Sequence, residues 1–443
     1  MTRRSRVDPA RLVAFEVLKA VRVDDAYTNL VLPSLLRRHG LSGRDAAFAT
    51  ELASGTIRWR GLYDAVLAAC IDRPLRKVEA KVLDALRLGC HQLLAMRVPS
   101  HAAISTTVDL VRDRVSAGAA GFANAVLRKV SQQDRGAWVA AVAPDLATAW
   151  SHPAWVVDEL RAALGRDDEL PALLAADNEP PRVTLVARPG RATRDELPGE
   201  PTALSPYAVT MTGGDPGEVS AVAEGRAGVQ DEGSQLVAVA AAAAPLEGAD
   251  ARWLDLCAGP GGKAALLAAL AAERGASLVA SERQPHRAGL VRTALRGADA
   301  VAGVVAADGT AAPYRPAAFD RVLVDAPCTG LGALRRRPEA RWRRRPADLD
   351  ELATLQQRLV HSALDLTRPG GIVLYATCSP VLAETRGIVE AVLADRQDVS
   401  LEDAGALLPQ VADGAGPLPG TVQLWPHRHG TDAMFVALLR KVS

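Results

Sequence analysis

The sequence predicts a multidomain protein: an N-terminal all-α bundle, a small α+β joining region, and a C-terminal α/β domain whose parallel sheet is covered on both faces. Three observations carry that prediction. Helical periodicity without strand-like alternation runs from Asp8 to about Gln133. A texture rich in Pro and Gly, with short β-like runs, fills residues 144–235. From about Gly233 onward, apolar runs ending in polar residues alternate with helical segments, the pattern of strands buried on both faces. The chain's 443 residues suit roughly three domains at about 150 residues each. The expected divisions are 1–140, 141–235 and 236–443.

In the first part, Leu12, Phe15 and Leu18 start an amphipathic helix, with Val17 off its face and Pro9 in its opening turn. Arg44–Trp59, Gly61–Ile71, Val78–Leu94 and Ala102–Val115 carry similar stripes, separated by breaks at Gly40, Pro74, Pro99 and Gly118. The joining region offers a helix near Pro153–Leu164 and a β-like run at Arg182–Ala187. Five strands follow at 252–258, 276–281, 301–307, 320–326 and 371–378. Helices at Lys263–Arg274, Gln284–Gly297, Asp348–Thr367 and Val381–Ala394 fill the gaps. Leu418–Val442 closes the chain as an antiparallel hairpin on the sheet edge, turning at His429-Gly430.

Composition narrows the class. Hydrophobic residues at 49% and charged residues at 23% are globular values, which excludes a mainly disordered chain. The longest uncharged apolar run, Leu236–Leu246, falls short of the roughly 18 residues a membrane span needs. The opening MTRRSRVDPAR has no apolar stretch behind it, so no signal peptide is expected. Five cysteines without regular spacing make no disulfide framework, and a reducing, cytoplasmic setting is expected. The net charge of +1 hides an asymmetry: residues 1–135 hold 22 Lys and Arg against 13 Asp and Glu, the remainder 30 against 38. A basic first third suits a polyanion partner, although a solvated helical surface has the same composition.

The first strand runs into DLCAGPGGK. Gly259, Gly261 and Gly262 permit a tight turn and close approach of a ligand, ahead of a helix that offers its N-terminal amides. A Walker A loop is excluded, because Cys257 stands where its first Gly belongs and Ala264 where Ser or Thr must be. Glu282, Asp308 and Asp325 close the next three strands, and in a doubly wound sheet such carboxyl ends line one crevice. A carboxylate after strand two suits a ribose diol and a polar group after strand three suits an adenine edge. Asp and Glu also end strands simply as turn formers.

Two cysteines end neighbouring strands: Cys328 follows Asp325-Ala326-Pro327, and Cys378 follows Ala376-Thr377. Both thiols should therefore face the crevice. Cys70 and Cys90 lie in helical stripes as small core residues, and the backbone of Cys257 matters more than its sulfur. No metal site is expected, since no C-x-x-C occurs and the histidines do not cluster beside these cysteines. Beside a nucleoside cofactor, a thiolate can add to carbon 6 of a cytosine and leave carbon 5 nucleophilic toward an activated methyl group, which is covalent catalysis. An acid serving N3 helps the addition, and Asp325 is placed for that exchange. A second cysteine can help the elimination.

The segments DLCAGPGGK, DAPCTG, TCS and LWPHRHGTDAMFVALLRK together resemble the Nol1/Nop2/Sun family of RNA cytosine-5 methyltransferases. The resemblance covers roughly residues 225–443, including VQDEGSQLVA. RDAAFATELASGTIRW and GFANAVLRKV make the basic helical third similar to the NusB domain of that family's bacterial ribosomal branch. The resemblance implies a Rossmann-like class I methyltransferase fold using S-adenosylmethionine. It implies cofactor binding by Cys257, Ala258, Gly259, Pro260, Gly261, Gly262 and Lys263, with Glu282, Asp308 and Asp325. It also implies Cys378 as nucleophile and Cys328 as the cysteine that assists product release. Gly259 stands where many members have Ala, a small-for-small change.

Between the two cysteines, seven arginines fall within Arg335–Arg345 around Trp342. They are expected to hold phosphates while the ring stacks on a base, against the alternative of a solvated loop before the Asp348 helix. His427, Arg428 and His429 lie near this face with no assigned role. The leading expectation is methylation of cytosine in small-subunit (16S) rRNA by a monomer that engages neither DNA nor a membrane. The alternatives are the same chemistry on tRNA or another RNA, a nicotinamide dehydrogenase, and a non-catalytic RNA-binding or antitermination protein.

Overall fold

The computed structural model describes residues 7–442. The opening MTRRSR, on which part of the leader and charge readings rests, lies outside the described residues. The chain forms two compact units. One comprises Met1–Asp158, Leu174–Pro180 and Leu334–Arg343, the other Glu159–Leu173, Pro181–Ala333 and Arg344–Ser443. Among the described residues, no helix is long and apolar enough to cross a membrane.

The first unit is helical: α1 (Pro9–Val23), α2 (Thr28–Arg38), α3 (Gly43–Arg58), α4 (Arg60–Cys70), α5 (Ala80–Leu94), α6 (Ser100–Arg114), α7 (Ala117–Val130), α8 (Arg135–Val142) and the short α9 (Leu146–Ala149). Side chains of Asp8, Ser116, Asp134 and Asp145 accept first-turn amides of α1, α7, α8 and α9, caps worth about 0.5–2 kcal/mol each. The Ser116 cap corrects one expectation: Gly118 lies inside α7, and the break falls at Val115–Ser116. Leu52, Leu62, Tyr63, Leu86, Leu110 and Leu127 meet in one core. α5 is its centre, buried without interruption from Asp84 to Gln92. The charges that this buries are paired, Asp84 with Arg22 at 2.8 Å and Arg87 with Asp64 at 2.7 Å. Cys70 and Cys90 are buried as expected, and burial pushes both thiols up.

Helices α10 (Ala154–Leu164) and α11 (Leu170–Ala176) carry the chain onward. In the second unit, β1 (Thr184–Ala187), β2 (Glu200–Pro201), β3 (Ala208–Thr210) and, after α12 (Ser220–Ala223), β4 (Ala227–Val229) form an antiparallel sheet of order β2-β3-β1-β4. Then follow α13 (Glu232–Ala243), β5 (Arg252–Asp255), α14 (Gly262–Glu273), β6 (Ser277–Glu282), α15 (Pro285–Ala294), β7 (Val301–Ala306) and β8 (Phe319–Asp325). After α16 (Ala340–Arg343), which belongs to the first unit, come α17 (Asp348–Leu366), β9 (Thr367–Thr377), α18 (Arg386–Asp395), β10 (Val399–Glu402), β11 (Val422–Gln423), α19 (Pro426–His429) and β12 (Phe435–Lys441).

The large sheet has the order β10-β12-β9-β8-β5-β6-β7, with β11 paired to β12. Strands β9, β8, β5, β6 and β7 are parallel; β12 and β10 are antiparallel additions. Trp253, Leu323 and Leu374 pack on one face with α13 and α14, while Leu254, Val322 and Val373 pack on the other with α17. The five expected strands are present. The closing strand, expected on the edge, is instead interior: β12 lies between β9 and β10. Its residues Phe435–Leu439 are buried in succession rather than alternately, as a strand covered on both faces requires. The segment at 381–394, expected as one helix, breaks at Thr385 into a short 3-10 turn and α18.

From β5 the chain moves outward through β6 to β7, then returns to the other side of β5 as β8. The order reverses there, and such a switch point opens a crevice at the strands' carboxyl ends.

Candidate active site

The glycine loop leaves the end of β5 at this switch point. Gly261, with φ of 115°, is the residue before α14 and turns the chain in a region that side chains rarely adopt. Gly259 is packed for a different reason. A Cβ there would lie 1.9 Å from a carboxylate oxygen of Glu282, so an alanine would force that side chain to move. The exchange that looked small-for-small therefore has a partner. Arg287 donates from Nη2 to the Gly259 carbonyl at 2.6 Å and stands 3.6 Å from Glu282. Glu282 closes β6, almost fully buried, and accepts from the Gln284 amide. Asp308 lies two residues past β7 and caps a 3-10 turn through Thr310. That hydrogen bonding holds its carboxyl below the ordinary range.

Lys263, in the first turn of α14, places Nζ 2.8 Å from Asp325 Oδ2. Burial opposes the lysine's charge, yet the Asp325 carboxylate outweighs it and its pKa rises. Asp255, fully buried at the end of β5, was not singled out from the sequence. Its Oδ1 accepts from the Cys257 amide, and its Oδ2 has no hydrogen-bond partner among the described residues. Burial first, then the nearby Asp325 charge, push its carboxyl up to about 8.

The thiols meet. Strands β8 and β9 pair in parallel with Asp325 opposite Ala376, and the loops that follow bring Cys328 Sγ to 3.4 Å from Cys378 Sγ. The hydrogen bond to Cys378, reinforced by burial, holds the Cys328 thiol well above the usual range. Gly332 closes the arrangement by donating its amide to the Cys378 carbonyl at 2.9 Å. A Cβ at Gly332 would come within 2.3 Å of the Ala433 carbonyl. Arg344 donates to the Cys328 and Thr329 carbonyls, both at 3.2 Å. Sequence reasoning also missed Thr329, Gln356 and Glu384, which form a buried network behind the cysteines. Thr329 adjoins Cys328, which is a signal of a kind; Glu384, in the stretch read as helix, had none.

The arginine-rich segment does not take the place expected of it. Leu334–Arg343 is part of the helical unit. Arg341 is fully buried and donates to the Ser151 carbonyl, Asn178 Oδ1 and the Asp177 carbonyl. Burial brings its guanidinium down to about 9. The Trp342 ring packs on the helical core, where Gly61 leaves room for it, and its Nε1 donates to the Ile57 carbonyl at 2.8 Å. It is no free platform for a base. Arg343 pairs with Asp25 at 2.7 Å, and Glu339 accepts from Thr28. His427 and Arg428 are likewise held, both by Glu169, at 2.9 and 2.7 Å.

Residues around the loop fit a nucleoside bearing a methionine chain. A buried carboxylate closes β6, α14 starts directly from the loop, and Gln230, whose buried Oε1 has no hydrogen-bond partner among the described residues, approaches Gly262. A doubly wound sheet with such a crevice gives the second unit a Rossmann-like fold with a site for a nucleoside-bearing cofactor.

Comparison with known proteins refines the class. Residues 242–440 match the 16S rRNA methyltransferase RsmB/F family, and residues 8–132 match the NusB family. A Mycobacterium tuberculosis (H37Rv) protein named as a methyltransferase, without a substrate, is 52% identical over 100% of this chain and 98% of its own length. Ribosomal RNA small subunit methyltransferase B of Pseudomonas syringae pv. tomato is 32% identical over 98% of this chain and 97% of its own length. In fold, the crystal structure of PH0851 matches 98% of this chain and 99% of that one with a TM-score of 0.79 at 23% identity. The chain belongs to the RsmB/F family of RNA methyltransferases and carries the NusB domain.

Proposed function

We propose that this enzyme methylates carbon 5 of a cytosine in small-subunit (16S) rRNA through a covalent adduct on Cys378. The single observation that carries the reading is the 3.4 Å approach of the Cys328 and Cys378 sulfurs beside the Lys263–Asp325 pair. The small-subunit rRNA named for the Pseudomonas relative supports the choice of substrate. In this reading Glu282 and Asp308 hold the ribose and adenine side of S-adenosylmethionine, and Cys257, Ala258, Gly259, Pro260, Gly261, Gly262 and Lys263 form its loop. The three functional parts are 1–140 for RNA holding, 141–235 for joining and RNA contact, and 236–443 for chemistry.

When bound, S-adenosylmethionine supplies a sulfonium-activated methyl group, the electrophile that a nucleophilic carbon 5 requires. The chain's own residues make that carbon nucleophilic. The Cys378 thiolate bonds to carbon 6, and the ring's π pair moves toward N3, which takes a proton by way of Asp325 from the paired Lys263 ammonium. After carbon 5 has gained its methyl group, its proton and the bond from carbon 6 to Cys378 are lost together. Cys328 hands its proton to the leaving sulfur and takes up the proton leaving carbon 5, while the N3 proton returns to Lys263. The 3.4 Å approach of the two sulfurs suits such a proton exchange between them. The base must leave its stack to reach the thiol, a cost of a few kcal/mol that is least in loosely structured RNA.

The test is methyl transfer to small-subunit rRNA in vitro, with the modified base mapped. Cys378→Ala should abolish 5-methylcytosine formation with S-adenosylmethionine binding intact, and undiminished turnover would remove Cys378 as nucleophile.

A further inference from the structure

Behind the two cysteines lies a carboxylate that the mechanism above does not use. Glu384 is fully buried. One of its oxygens accepts from the Thr329 amide at 2.8 Å and from Gln356 Nε2 at 3.0 Å, and the other from the Thr329 hydroxyl. That hydroxyl also lies 3.0 Å from Ser379 Oγ. Thr329 directly follows Cys328, and Ser379 directly follows Cys378. Gln356 reaches further, donating to the Pro327 carbonyl at 2.8 Å, and Tyr375 of β9 donates to the Glu384 carbonyl at 2.6 Å. The carboxylate thus holds the residue after one cysteine directly and the residue after the other through a single hydroxyl. Among the described residues, none of its hydrogen-bond partners carries a charge. A buried carboxylate with only neutral partners is expensive to keep, and its contacts converge on the two loops whose thiols must serve one base.

We propose that Glu384 is a positioning residue: its carboxylate, acting through Thr329 and Ser379, fixes the separation of the Cys328 and Cys378 sulfurs. An amide replaces it only in part. With its oxygen toward the Thr329 amide and Gln356, a glutamine could only donate from its nitrogen to Thr329 Oγ, so the threonine proton must turn to Ser379 and the charge-assisted bond from Thr329 is lost. The Cys328 loop would then relax away from Cys378. The inference rests on the two-cysteine reading for its effect on turnover, but not for its effect on the thiols.

The full-length Glu384→Gln protein is compared with wild type in two measurements. In the first, kcat for rRNA methylation should fall about 10- to 100-fold, the scale of a roughly 1 Å misplacement. KM for RNA and affinity for S-adenosylmethionine should stay within about twofold. In the second, which needs no RNA, diamide accepts two electrons and two protons from the thiol pair, and formation of the Cys328–Cys378 disulfide should slow markedly. Unchanged kcat and unchanged disulfide formation would overturn the proposal. If Glu384→Gln does not fold, the pair Thr329→Val and Thr329→Ser decides: serine keeps the bridging hydroxyl and should behave as wild type, valine should not, and equal behaviour overturns it. If Cys378→Ala keeps its activity while disulfide formation still slows in Glu384→Gln, the nucleophile assignment falls and the clamp stands.

Discussion

Two stretches of this sequence advertise chemistry, and the structure treats them in opposite ways. The strand-end motifs DLCAGPGGK, DAPC and TCS come together at one switch point, with sulfurs 3.4 Å apart and a lysine on the strand-four acid. The arginine run between them, which looks equally purposeful, is largely spent inside the helical unit, with Arg341 fully buried and Trp342 packed on the helical core. The difference lies in what fixes each residue's place. A residue at the carboxyl end of a parallel strand has its position set by the ladder, so sequence order translates directly into space. An arginine's position is set by whichever acceptors it finds, and its long apolar stem lets it be buried as readily as exposed.

The largest effect expected at the thiol pair other than loss of the nucleophile is at Cys328. If Cys328 protonates the departing sulfur, Cys328→Ala should stop release and trap an RNA–protein adduct on Cys378, seen as a slow band in a denaturing gel. Turnover should fall by about 10² or more, as for loss of a general acid. Absence of any adduct during incubation with RNA and S-adenosylmethionine would separate the closeness of the sulfurs from their division of labour.

At the arginine run, the comparison is sharpened by stability rather than by rate. Arg341→Leu removes the donor to Ser151, Asn178 and Asp177, 163 or more positions away in sequence. Leaving these buried neutral acceptors without their donor should lower stability by about 1–3 kcal/mol for each one left unpaired. Thermal unfolding measures it. A variant as stable as wild type that nevertheless binds RNA poorly would restore the segment to the RNA.

Much of the fold was legible because parallel strands and amphipathic helices have strong periods; the five strands and most helices of the first unit lie within a few residues of where the pattern puts them. What failed has physical causes. The interior place of β12 depends on β10, a four-residue strand too short and too mixed in polarity to announce itself. Glu384 reads as one more polar residue of a helix until Thr385 breaks that helix and turns the carboxylate inward. Asp255 stood in the quoted motif, yet the upward push on its carboxyl comes from burial and from Asp325, 70 positions away, which no local pattern reports.

Asp255 gives a pH-dependent test on the strand-end side. Burial, then the Asp325 charge, push its carboxyl up to about 8 in the folded chain, against about 3.9 when unfolded. Between those values the folded state holds a proton that the unfolded state has released. Stability therefore falls as pH rises from about 4 to about 8, by at most roughly 1.4 kcal/mol per unit, and levels off above. Asp255→Asn has no proton to lose, so its melting temperature relative to wild type should climb steadily across that window. Parallel curves for the two proteins between pH 5 and 8 would show that Asp255 is ionised in the fold.

The smallest effect belongs to the end of the arginine run. Arg345, unlike Arg341, is exposed, and its backbone amide and carbonyl both engage Asp348. If any arginine of the run still meets phosphate, this one is free to do so. Arg345→Ala should leave stability within about 0.5 kcal/mol, as surface changes do. The slope of log affinity for single-stranded RNA against log salt should become shallower by about 0.7, the release of one counterion. Arg341→Leu should show the reverse pattern, a large loss of stability with the salt slope unchanged in the folded fraction. Identical salt slopes for wild type and Arg345→Ala would place the whole run, exposed end included, on the structural side of the comparison.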